Sequence, residues 1–147
     1  MVIVSACLAG MRTAFDDTDN LDEKVRTMVA KGEAIPVCPE QLGGLPTPRD
    51  LQEIQGGAGK EVWEGAAKVI TITGNDTTES FRKGAQETLK LAQLVDAKKA
   101  ILKADSPSCG CGAIFDGTFS GIRKEGDGVT TYLLKENGIS VVTEEDV

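Results

Sequence analysis

"AILKADSPSCGCG", residues 100–112, decides the fold: three apolar residues, a short polar step, then two cysteines one residue apart among Ser, Pro and Gly. A short apolar run that stops at turn-forming residues reads as a buried strand. The same pattern occurs twice upstream. Val2-Ile3-Val4 delivers Ser5, Ala6 and Cys7 to a strand's C-terminal end, and Ala34-Ile35-Pro36-Val37-Cys38 reads as a second such strand. Pro36 has no N–H for a ladder, which places that strand at a sheet edge or in irregular pairing. Ile139-Ser140-Val141-Val142 closes the chain as a further strand.

Helical patterns lie between these runs. Leu21, Val25, Met28 and Val29 share one helical face, with Asn20 and Glu23 in a capping arrangement and Gly32 as the stop. Asp76 to Lys98 carries Phe81, Ala85, Leu89, Ala92 and Val95 at the same spacing and is the longest helix. Asp127 is placed to cap a last helix, with Val129, Leu133 and Leu134 inward and Gly138 ending it. Val69 to Ile72 is a strand or half of a hairpin. Residues 39–60, rich in Gly and Pro, read as one long loop, and loops of that length inside a domain usually serve function or move. Strands alternating with helices specify an α/β fold with a parallel sheet and helices on its faces. No repeat or linker divides residues 1–147, so a single domain is expected. In such sheets ligands bind outside the carboxyl ends of the strands. Cys7, Cys38 and Cys109 each fall there.

Composition limits the partners. The chain has 147 residues, 40% hydrophobic and 27% charged, enough to bury a core without disulfides. A net charge of −7 with no Lys/Arg block longer than a pair argues against DNA or long RNA, while leaving room for a nucleobase in a small pocket. The N-terminal apolar run is too short for a secretory signal, and no stretch is long enough to span a bilayer. A cytoplasmic location without a membrane partner is therefore expected. There, four cysteines are metal ligands or reactive groups rather than disulfide partners.

The spacing C-x30-C-x70-C-x-C fits neither a zinc finger nor a C-x-x-C redox site, and the chain has no histidine to serve a cysteine nucleophile. Three thiolates from separate loops suit a thiophilic centre, of which an iron–sulfur cluster is the usual cytosolic kind. A four-iron cluster on three cysteines leaves one iron open, the mark of catalysis. Cys111 is the alternative fourth ligand. In an extended C-x-C the two side chains point apart, which argues against it, although Gly110 and Gly112 permit a turn. The bland reading, small buried hydrophobes at strand ends, is weaker for three such cysteines than for one.

The blocks Val4-Ser5-Ala6-Cys7-Leu8, Pro36-Val37-Cys38-Pro39-Glu40, Gly43-Gly44-Leu45-Pro46-Thr47-Pro48-Arg49, Ser106-Pro107-Ser108-Cys109-Gly110 and Gly126-Asp127-Gly128-Val129-Thr130 resemble, in this order, the thiouracil desulfidase family. That resemblance runs over nearly the whole chain. It implies a Rossmann-like parallel sheet with helices on both faces and a [4Fe-4S] cluster held by Cys7, Cys38 and Cys109. It also implies a small thiolated pyrimidine as substrate, whose sulfur binds the fourth iron and leaves as hydrosulfide without net redox change. Many members carry a further cysteine followed by Arg-Tyr-Asp after the first block. Here Thr13-Ala14-Phe15-Asp16 stands instead, a departure that bears on substrate identity rather than on the cluster.

Replacing sulfur by oxygen requires a base to activate water. With no histidine, the candidate is Glu40, two residues after Cys38, a carboxylate whose basicity burial would raise. Ser106, three residues before Cys109, is the candidate donor to a ring carbonyl or developing oxyanion, its commoner role being a turn hydroxyl. Ser5, Arg49 and Lys103 are weaker candidates for touching substrate or balancing cluster charge, and Asp105 and Asp116 read as turn residues. The competing reading is a non-enzymatic iron–sulfur or thiol redox-sensing module. A nucleotide-binding domain is disfavoured because neither glycine-rich phosphate motif occurs.

Overall fold

Two buried strands, one near the N-terminus and one just before the cysteine-rich loop, lie side by side at the centre of the molecule. In the computed structural model, which describes residues 1–147, the chain runs β1 (Val2–Ser5), a 3₁₀ turn (Ala6–Ala9), α1 (Glu23–Ala30), β2 (Ala34–Val37), α2 (Pro39–Leu42) and β3 (Gln52–Gln55). It continues α3 (Gly59–Glu64), β4 (Lys68–Thr71), α4 (Thr78–Leu94), β5 (Lys99–Leu102), β6 (Ala113–Phe115), β7 (Arg123–Glu125), α5 (Val129–Glu136) and β8 (Ser140–Thr143). The main sheet has the order β2-β1-β5-β8, and all its neighbours pair in parallel. β2 is an edge strand with Pro36 opposite Val4, as the missing N–H requires.

Strand alternation supplies both faces with apolar side chains. Ile3, Ala100, Leu102 and Val141 pack with Ala92 of α4 and Leu134 of α5. Val4, Ile101 and Val142 pack on the opposite side with Val25 and Met28 of α1. The helices thus cover both faces of a parallel sheet. They change face between the β1–β2 crossover and the crossover that reaches β5 on the other side of β1. The carboxyl ends of β1 and β5 therefore flank the point where the winding reverses, the usual ligand crevice of such sheets.

Several local expectations differ. α1 is capped by Asp22, whose carboxylate accepts from the amides of Lys24 (3.0 Å) and Val25 (3.2 Å), rather than by Asn20. Leu21 precedes the helix and is exposed instead of joining its apolar face. α4 is shorter than the 76–98 pattern, beginning after Asp76 accepts from the Thr78 amide at 2.9 Å. Residues 39–60 are not one loop: α2, β3 and the start of α3 form within them. β3 pairs antiparallel with β4, and an unanticipated antiparallel pair, β6 and β7, follows the cysteine loop. Glu53 secures that pair from β3, accepting from the amides of Gly117 (2.9 Å) and Phe119 (3.1 Å) while 3% exposed.

α2 is a single turn, too short to be stable alone, and it is held by direct backbone contact with α4. A Cβ built on Gly84 of α4 would lie 1.9 Å from the Pro39 carbonyl oxygen, and one on Gly43 would lie 2.0 Å from that of Ser80. Gly84→Ala would gain about 0.5–1 kcal/mol of helix propensity. The overpacking cost of about 1–3 kcal/mol exceeds it. We expect this variant to unfold at lower urea concentration than the wild type, because α2, with Cys38 at its N-cap, must shift.

Candidate active site

The three strand-end cysteines reach one cavity by different local devices. Cys7 lies in the 3₁₀ turn after β1, where its carbonyl accepts from Gly10 (3.2 Å) and Asn20 (2.9 Å). Cys38 is the residue before Pro39, which opens α2 with a ring that needs no N–H there. Cys109 sits in the loop after β5. The cavity, about 260 Å³, is lined by Cys7, Cys38, Cys109, Glu40, Ser106 and Ser108, among others. All four cysteines are free thiols. Cys111 does not line it: its thiol donates to the Val141 carbonyl at 3.4 Å and packs against the sheet.

The loop of Cys109 is braced by the start of α5. A helix N-terminus leaves amides without intrahelical partners. Here Val129 N donates to the Pro107 carbonyl at 2.8 Å and Thr130 N to that of Ser108 at 2.9 Å. Thr131 Oγ1 donates to the Cys109 carbonyl at 2.9 Å, and Gly128 N to that of Gly110 at 2.8 Å. A Cβ on Gly128 would fall 2.5 Å from the Ser108 oxygen, so this close docking needs glycine. Asp127 is not the helix cap that the sequence suggested. Its carboxylate accepts from Gly112 N at 2.8 Å and pairs with Lys135 at 3.1 Å, because the loop carbonyls already occupy the helix amides.

Burial raises the thiols of Cys7 and Cys38 above the ordinary range, and it pushes Cys109 up to about 12. Hydroxyls partly oppose this at Cys109, where Ser5 Oγ donates to Sγ at 3.5 Å. At Cys38 the amides of Gln41 and Glu40 pull the other way, against desolvation. Without a cation these sulfurs stay neutral, and a bound metal would release their protons.

Glu40 lies at the cavity but does not stand alone. Arg49 Nε donates to its Oε1 at 2.9 Å, and Ser108 Oγ lies 2.8 Å from its Oε2. Both side chains of the ion pair are nearly buried, 6% exposed for Arg49 and 12% for Glu40. Every other Arg49 donor is also placed. Nη1 reaches the Pro46 carbonyl (3.3 Å) and Thr47 Oγ1 (2.8 Å); Nη2 reaches the Thr13 carbonyl (2.9 Å) and Cys38 Sγ (3.9 Å). With five N–H groups committed, Arg49 has none left for a substrate. Ser106 Oγ accepts from Cys109 N at 2.8 Å, the turn role, and still lines the cavity. Ser5 and Lys103 also line it, but both are engaged. Lys103 N donates to Ser5 Oγ at 2.9 Å, and Lys103 Nζ pairs with Glu144 at 2.9 Å.

The sequence profile of the 2-thiouracil desulfurase family matches residues 2–146. The chain belongs to that family. It is 44% identical over 147 residues to the uncharacterized protein YbbK of Bacillus subtilis (strain 168), covering 100% of this chain and 97% of the relative. Its fold is similar to that of a [4Fe-4S]-dependent thiouracil desulfidase, TudS, with a TM-score of 0.88, 39% identity, and coverage of 99% of this chain and 91% of the other. Within this desulfurase-family fold the sequence reading missed Ser108. Its hydroxyl touches Glu40 and lies 3.5 Å from Cys109 Sγ while 2% exposed. Its place beside Cys109 in the chain was the available signal.

Removing one member of a buried ion pair leaves the other charge stranded, at a cost of about 3–5 kcal/mol. Arg49→Ala should therefore lower unfolding free energy by about that amount in urea titrations. The double variant Arg49→Ala/Glu40→Gln should recover part of the loss, and Arg49→Lys should not restore full stability, having three donors for five acceptors. Equal effects of Arg49→Ala with and without Glu40→Gln would deny the coupling.

Proposed function

We propose that the protein is a non-redox desulfidase that converts thiolated uracil and water to uracil, hydrosulfide and a proton. The observation that carries this reading is one cavity walled by three free thiols, Cys7 and Cys109 buried and Cys38 half-buried, and by the Glu40–Ser108 pair. Membership of the 2-thiouracil desulfurase family and the likeness to TudS support it. The donor set suits a [4Fe-4S] cluster on Cys7, Cys38 and Cys109. It is all sulfur and it comes from three loops that meet at one cavity. Bound there, the cluster would supply a Lewis-acidic iron that polarises the C=S carbon.

The chain's own groups then have defined tasks. Glu40 accepts one proton from water on Oε2 as the water oxygen bonds to the C=S carbon. The remaining hydroxyl proton passes to sulfur as the C–S bond breaks, hydrosulfide departs with no electron exchanged, and Glu40 gives its proton to solvent. Arg49, through Oε1, keeps the carboxylate from turning away. Ser106 can turn its proton from the long 3.5 Å contact with Ser108 Oγ to the ring carbonyl, since its contact with Cys109 uses a lone pair. The redox-sensing alternative fits less well, because sensor thiols are exposed and depressed in pKa, whereas Cys7 and Cys109 are buried, Cys38 is half-buried, and desolvation raises all three.

The test uses protein loaded with iron and sulfide without oxygen. Cys7→Ser, Cys38→Ser and Cys109→Ser should each lose most of the iron and of the thiouracil turnover, while Cys111→Ser keeps most of both. Unchanged iron in all three would end the cluster assignment. Glu40→Gln should keep its iron but lose about 10²- to 10⁴-fold in kcat. A wild-type rate in that variant would remove Glu40 as the base.

A further inference from the structure

We infer that Phe15 is the substrate-stacking residue of this cavity, holding the flat face of the pyrimidine while the polar groups of the floor read its edge. The inference rests on the desulfidase reading and names how that site grips its ring. The chain has four phenylalanines, one tryptophan and one tyrosine, and two of the phenylalanines, Phe15 and Phe115, line the cavity. Phe115 is half-buried in β6 and already carries the Arg123 guanidinium 5.9 Å from its ring centroid. Phe15 has no such neighbour and is 40% exposed.

An isolated exposed aromatic needs no explanation. Phe15 differs in being held in place. Its carbonyl accepts from Arg49 N at 2.8 Å, so the node that fixes Glu40 also fixes Phe15. The flanking turn is closed by Ala14 N to the Thr18 carbonyl and Asp17 N to the Ala14 carbonyl, both at 3.0 Å. A backbone pinned on both sides presents its ring at the cavity instead of folding it into the core. Stacking on an aromatic face tolerates any planar base, so it supplies affinity. Choice among bases falls to Glu40, Ser106 and the thiols below.

The test measures Kd for uracil, the sulfur-free product, by calorimetry on the iron-loaded protein, with KM and kcat for thiouracil and iron content on the same preparations. Phe15→Ala should raise the uracil Kd and the thiouracil KM about 5- to 100-fold, the loss expected for one base–aromatic stack, with iron content unchanged. Phe15→Trp should restore both constants to within a few-fold. Phe15→Leu, apolar but not planar, should fall between. Unchanged Kd and KM in Phe15→Ala would overturn the inference, as would loss of its iron, which would make the ring a structural support. If wild-type protein binds uracil but turns over no thiouracil, the desulfidase reading fails and the stacking result is still read from Kd.

Discussion

The guanidinium of Arg49 donates to Glu40, Pro46, Thr47 and Thr13 and touches Cys38, while its backbone amide holds Phe15. Those contacts join the loop after β1, the turn after β2 and the Gly/Pro-rich segment that follows. None of these pieces has a core of its own. A planar cation with five fixed donors can tie them because each acceptor lies where one N–H points. The burial that makes the node costly to break also sets the cavity's shape, since Glu40 and Cys38 are only two residues apart on the same short turn.

The opposite wall obeys the same rule with backbone in place of a side chain. The free amides of α5 and the Thr131 hydroxyl take up the carbonyls of Pro107, Ser108 and Cys109. Those loop carbonyls are thereby satisfied away from the cavity, and its lining is left mostly to side chains. The thiols pay for this burial with raised pKa values. A site of that kind gains little from free cysteine chemistry and much from a cation that takes the protons' place. Ser5 and Ser108 bring hydroxyls to the Cys109 sulfur, and Ser108 also to Glu40, which is the polar complement such a group needs.

The sheet was legible in the sequence because its strands are apolar, short and stopped by turn residues, and because Pro36 pointed to an edge or to irregular pairing, of which the edge is found. The convergence of Cys7, Cys38 and Cys109 followed from where parallel strands end. What escaped the sequence is what depends on three dimensions. β6 and β7 are three residues each, and β3 lies inside a Gly/Pro-rich segment, so periodicity had too little to count. Asp127 looked like a helix cap, but the N-cap is the next residue, Gly128, and loop carbonyls take up the first helix amides. Arg49 read as a weaker candidate for touching substrate or balancing cluster charge, and only the fold shows five acceptors around it. Glu40, expected as a base whose basicity burial would raise, is paired with Arg49 and Ser108.

The central claim is that sulfur leaves this site by hydrolysis, without electron transfer. The most direct measurement is the stoichiometry of thiouracil consumed, uracil formed and hydrosulfide released by iron-loaded protein under anaerobic conditions with no reductant or oxidant present. Equal amounts of all three over many turnovers are predicted. A requirement for an added electron donor, or a product other than uracil, would contradict the account.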